Sequence, residues 1–364
     1  MKQDKQVNQT PESADEKKDL FRADWKDDLD GDSRKKLSRV QRNKKRNFWI
    51  PCLVVAIALG GTSLGAAWYM GHKESSNPIV QLQKAEQQQY NDYVAWIDHL
   101  TKPADWDDET FEALKTAALN AYNTSDLEEL NKAVQGDGAA AAKFEGQTEA
   151  KVQESIKQYQ DLFNNSANYP AQIVALAKDP GMVAFVLEYP NHINDAGTEV
   201  VLGDVTQVMP DLKTFDPAWG YVPYNGSIMA ISGAAPTIIA DVFSYCLDDP
   251  TLTPLVVANW AKTTGYEAAP VSEAEDSIFS GAALTFGVPM LPLPIYKTQI
   301  SDQVSQGYPT ILVTGSYENP KYYALDGIDE NGQWIAYDPT TSNSPIALDP
   351  DTTIDTVLKA YSFW

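Results

Sequence analysis

Residues 233–247 read Gly-Ala-Ala-Pro-Thr-Ile-Ile-Ala-Asp-Val-Phe-Ser-Tyr-Cys-Leu, and the fold is read outward from them. Pro236 stands in a first turn, and Ile238/Ile239, Val242 and Tyr245/Cys246 recur on one face, so the spacing predicts a buried helix over 236–247. Downstream, Pro309–Thr314 (PTILVT) is short and wholly apolar at its centre, as expected of a strand covered on both faces. Tyr322–Ile328 and Gln333–Tyr337 flank Asp329-Glu330-Asn331-Gly332, a strong hairpin signal. Upstream, Pro170–Leu187 predicts two short helices broken at Asp179-Pro180. The fold class expected for this half of the chain is α+β.

Further towards the N-terminus, residues 79–165 read as helical. Tyr93, Trp96, Ile97 and Leu100 share one face, and Val152, Ile156, Tyr159 and Phe163 form a second stripe. Ser125 with Glu128 predicts a capping box ahead of Leu127 and Leu130, and Gly136–Lys143 predicts a turn. Residues 71–167 are therefore expected to be an extracytoplasmic helical stalk or bundle. Before them, Phe48–Met70 is 23 residues without a charge, and about 20 suffice to cross a bilayer as a helix. Trp49, Trp68 and Tyr69 lie at its ends, and eight basic residues between Arg34 and Arg46 precede it. The positive-inside rule then places the N-terminus in the cytoplasm and the rest outside, on an uncleaved signal anchor. Residues 1–47, dense in mixed charge, read as a disordered cytoplasmic tail.

Charge narrows the function classes. Residues 1–47 carry 14 Lys and Arg against 10 Asp and Glu, whereas residues 71–364 carry 14 Lys, no Arg and 40 Asp and Glu. Such a field repels nucleic acid and offers no guanidinium fork, so nucleic-acid binding is excluded. The two cysteines, Cys52 and Cys246, and the three histidines, His72, His99 and His192, give no metal-binding spacing. Asp28-x-Asp30-x-Asp32 and Asp329-x-Asn331 echo calcium loops, but the first position would be Lys26 in one and Gly327 in the other. No cofactor and no metal is expected.

Residues 168–364 carry seven sequence pieces in a fixed order. They are Phe185-Val186-Leu187-Glu188-Tyr189-Pro190; Asp216-Pro217-Ala218-Trp219-Gly220-Tyr221 with Pro223-Tyr224; Gly233-Ala234-Ala235-Pro236-Thr237; Asp249-Pro250-Thr251-Leu252-Thr253-Pro254; Gly265-Tyr266; Leu325-Asp326-Gly327-Ile328-Asp329; and Tyr337-Asp338-Pro339. In this order they resemble the bacterial papain-like cysteine peptidases related to bacteriocin leader-processing domains, the C-39-like group. The resemblance implies a helix packed on an antiparallel sheet, with a nucleophilic Cys at the helix start. It also implies a His base on a later strand, an Asp that orients the His, and a Gln beside the oxyanion.

Carried over, the nucleophile falls on Ala234 and the neighbouring Gly on Ala235. The base falls on Lys321, counting back from Gly327-Ile328, the orienting acid on Asp338, and the oxyanion Gln on Thr214. Only the acid is kept. A methyl group cannot attack a carbonyl, and loss of a nucleophile costs about a millionfold in rate. Lys321 with Asp338 is expected as an ion pair filling the former dyad site, and the expected cleft comprises Trp219, Tyr224, Gly233, Ala234, Ala235, Lys321, Tyr322 and Asp338. Cys246 reads as an ordinary buried thiol, Ser232 as a cap or turn residue, and His192 as a solvated loop residue without a partner. The implied protein sits in a bacterial cell membrane and is a pseudopeptidase that binds a peptide or envelope partner. The alternatives are a hydrolase of altered mechanism and a structural or assembly component of the envelope.

Overall fold

The computed structural model describes residues 77–268 and 277–364. The expected tail at 1–47 and membrane segment at 48–70 lie outside the described residues. Among the described residues no helix is long and apolar enough to cross a membrane. Residues Pro78–Trp364 form one compact unit of α+β architecture.

Among the described residues, the helices longer than a single turn in the first half are α1 (Pro78–Asp98), α2 (Asp108–Asn120), α3 (Ser125–Val134), α4 (Gly138–Ala142), α5 (Glu154–Asn164) and α6 (Val183–Glu188). Those of the second half are α7 (Ala234–Leu247), α8 (Pro254–Thr264), α9 (Ile278–Phe286) and α10 (Lys297–Ser305). Side chains set several of the helix starts. Asp107 accepts the Thr110 amide at 2.6 Å to open α2, and Asp137 accepts the Ala139 and Ala140 amides to open α4 inside the expected turn. Thr253, ahead of Pro254, caps α8. The capping box expected at Ser125 does not form, and the residue at the cap accepts no helix amide through its side chain. Thr124 occupies the cap, and its hydroxyl donates to Glu128 at 3.1 Å.

The helical half is not set apart from the rest. One apolar cluster gathers Tyr93 and Ile97 of α1, Phe111 and Leu114 of α2, and Tyr159, Leu162 and Phe163 of α5. The same cluster continues through Val183, Phe185, Tyr221, Ile228 and Ala230. Phe163 is its hub, with ring centroids 5.6–6.3 Å from those of Trp96, Trp106 and Phe111. Val152, expected on the α5 stripe, lies before the helix and is exposed. A second tie is Asp179, whose carboxylate takes the Gly181 amide on its own side and the Thr341 hydroxyl and Ser342 amide on the other.

Among the described residues the strands are β1 (Pro223–Tyr224), β2 (Ser227–Ile228), β3 (Met290–Pro292), β4 (Thr310–Ser316), β5 (Asn319–Ile328), β6 (Trp334–Tyr337), β7 (Ile346–Leu348) and β8 (Val357–Phe363). The first two make a small hairpin; the others form an antiparallel sheet in the order β3-β8-β4-β5-β6-β7. Side-chain alternation gives this sheet two buried faces. Ile311, Val313, Tyr322, Ala324, Tyr337, Tyr361 and Phe363 pack under α7, α8 and α9. Leu312, Leu325, Trp334, Ala336 and Ala360 pack against Ile300 and Val304 of α10. The β5–β6 register shifts between Leu325 and Gly327, leaving Asp326 as an extra residue. The edge strand β3 is flanked and filled by Pro289, Pro292 and Pro294, none of which has an amide hydrogen to offer.

Candidate functional site

Ala234 is the first residue of α7, half-buried, with Ala235 buried behind it. The chain enters from a single helical turn, Met229–Ser232, that folds tightly onto the helix start. A Cβ on Gly233 would come within 2.5 Å of the Met229 carbonyl oxygen, so only glycine fits there. Thr237 closes this turn by donating its hydroxyl to the Gly233 carbonyl at 2.8 Å. The helix start therefore offers methyl groups and no nucleophile. Ser232 ends the preceding turn and is half-buried.

A strap of chain, residues 209–214, runs beside α7. Thr214, expected at the oxyanion position, is buried and engaged elsewhere: its amide donates to the Pro339 carbonyl at 2.9 Å and its hydroxyl to the Ala230 carbonyl at 3.2 Å. Trp219 donates its indole N–H to the Lys213 carbonyl at 2.7 Å. The Lys213 ammonium binds the Asp211 carboxylate at 2.5 Å and the Asp338 carbonyl at 3.0 Å, and the Ser344 hydroxyl donates to Asp211.

The sheet corrects the expected dyad. Lys321 pairs with Thr314 and alternates with Tyr322, so it stands on the α10 face with Tyr323 and Leu325, away from α7, and is exposed. The residue on the α7 face is Tyr322, in the same apolar cluster as Ala234 and Ala235. No Lys321–Asp338 ion pair forms among the described residues. The Asp338 carboxylate instead accepts the Thr340 amide at 2.8 Å and hydroxyl at 2.6 Å, closing a local turn. The cation beside Asp338 is Lys213, held by its backbone carbonyl.

Most of the expected cleft is interior. Trp219, Tyr224, Ala235 and Tyr322 are each no more than 5 % exposed. The Tyr224 and Tyr322 hydroxyls are buried without a hydrogen-bond partner among the described residues, and burial pushes both phenols well above their ordinary range. Hollows of about 390, 540 and 330 Å³ open elsewhere, and none is lined by a residue of the expected cleft.

Two groups outside this region bear on chemistry. His192, expected to be solvated and alone, places Nδ1 2.7 Å from Asp195 and stacks on Tyr221 at 4.4 Å; Tyr221 stacks in turn on Phe185. The His192 contact, with the Gly197 amide, holds the Asp195 carboxyl below its usual range. An i+3 aspartate was the one sequence signal for this pair, and no serine, threonine or cysteine hydrogen-bonds to the ring among the described residues. Cys246 is half-buried and free, its thiol pushed up to about 12 by burial. No cluster of His, Cys, Asp and Glu that could hold a metal occurs among the described residues. Compared with known proteins, the chain matches no family model and no curated relative.

Proposed function

We propose that the protein is a membrane-anchored, extracytoplasmic pseudopeptidase of papain-like, C-39-like descent, which engages a peptide or envelope partner and cleaves nothing. One observation carries this reading: α7 begins at Ala234 with a methyl and no nucleophile, and strand β5 turns the Tyr322 phenol, not Lys321, into the apolar cluster that α7 packs in. Acyl transfer needs a nucleophile beside a base, and an alanine with a phenol kept neutral by burial supplies neither. The burial of Trp219, Tyr224 and Tyr322 favours the second reading, an assembly component of the envelope, because these rings are packed inside and do not line a surface for an extended peptide.

Mass spectrometry of peptide mixtures incubated with the full-length protein tests the absence of cleavage. No new termini are expected over long incubation. Cleavage that disappears on Tyr322→Ala, with folding intact, would overturn the proposal and point to a hydrolase of altered mechanism.

A further inference from the structure

Asp241 lies in the middle of α7, two turns beyond Ala234, and has no exposed surface. One carboxyl oxygen accepts the Leu212 amide of the strap at 2.9 Å. The other is buried with no hydrogen-bond partner among the described residues. An ionised carboxylate with one donor for two oxygens is poorly compensated, since buried charge needs pairing as well as hydrogen bonds.

The groups facing Asp241 do not supply that pairing. From the strap come Asp211, which repels negative charge, and Lys213, whose ammonium is already shared between Asp211 and the Asp338 carbonyl. From β6 comes Tyr337, whose hydroxyl donates to Asp326 of β5 at 3.1 Å. On α7 itself the Ser244 hydroxyl donates to the Asp241 backbone carbonyl, not to its carboxyl. The helices α8 and α9 bring Val257, Ala258 and Ala261, and Ile278, Phe279 and Ala282, into the surrounding cluster.

We propose that Asp241 is a protonated latch: as a neutral acid it ties the 209–214 strap to α7, and loss of its proton as pH rises frees the strap. Burial raises this carboxyl well above its ordinary range, with Asp211 adding to the effect and the Leu212 amide and Lys213 opposing it. The sign follows from linkage. The folded protein keeps one proton that the opened strap releases, so closure is strongest in acid and weakens as pH rises between the ordinary and the raised value. The same strap carries Thr214 and the carbonyl that holds Trp219, so its release loosens the chain beside the start of α7.

Hydrogen exchange of the Leu212 amide in the full-length protein from pH 5 to pH 9, corrected for intrinsic exchange, tests the latch. The opening constant is expected to rise with pH in the wild type, by at most about tenfold per unit for one proton. It should stay flat in Asp241→Asn. Glu86→Gln, which removes a buried carboxyl of α1 raised by its own burial, should leave the wild-type slope in place. Equal slopes in wild type and Asp241→Asn overturn the latch. If the asparagine variant does not fold, a flat wild-type profile overturns it alone.

Discussion

At position 322 the face of a strand decides which residue turns towards α7. A thiol at the first residue of a helix is activated by the helix dipole and by an imidazole on the facing strand. Ala234→Cys with Tyr322→His is therefore expected to alkylate with iodoacetamide at pH 6–7 at least tenfold faster than Cys246, whose burial keeps its thiol protonated. Ala234→Cys with Lys321→His puts the imidazole on the α10 face and should react no faster than the single variant Ala234→Cys. Equal pH–rate profiles for the two double variants would show that neither strand residue faces the helix start. Spacing from Gly327 points to Lys321 only across a regular strand. The extra residue Asp326 breaks that regularity, and a one-residue slip moves a side chain to the opposite face. That α7 begins with Ala234 and Ala235 and no nucleophile is legible from Gly-Ala-Ala-Pro-Thr alone. The burial of Trp219 and Tyr224 is not, because it depends on contacts from α7 and α8 that local pattern does not encode.

Among the elements, α5 shows how a helical stripe becomes a core. Its ends are weakly fixed, with no side-chain cap at Gln153, so packing by Ile156, Tyr159, Leu162 and Phe163 holds it. Phe163→Ala is expected to cost about 3–5 kcal/mol by removing a ring from a close-packed aromatic group. Denaturant unfolding followed by tryptophan fluorescence measures this, since Trp96 and Trp106 both touch Phe163. A cost below about 1 kcal/mol would mean that the α1–α2–α5 cluster is loosely packed. The stripes of α1 and α5 and the β5–β6 hairpin were readable because apolar period and turn chemistry are local signals. The helix at Gly138–Ala142 is hidden in sequence because Gly136 and Gly138 are turn residues and the four alanines after them carry no apolar period.

At the scale of the whole described unit, the apolar cluster that runs from Tyr93 to Ala230 joins both halves of residues 78–364, so the two are expected to unfold together. A chain cut to 168–364 would bare Val183, Phe185, Tyr221 and Ile228, which α2 and α5 help to cover. It is expected to lose near-ultraviolet circular dichroism and to bind a hydrophobic dye, whereas the full chain melts in one calorimetric transition. Two separate transitions in the full chain, with the higher retained by the cut chain, would restore an independent C-terminal domain. No periodic pattern announces this joining, because its residues lie far apart in sequence and meet only in three dimensions.

The prolines of β3 bear on how copies of this protein coexist. A bare strand edge invites the same edge of a neighbour, and the danger grows where copies are concentrated. With no hydrogen-bond donor at Pro292 or Pro294, whose backbone faces away from β8, that side of the sheet resists extension into a continuous ribbon. Crowded copies can thus stay separate without spending surface charge on mutual repulsion along this border.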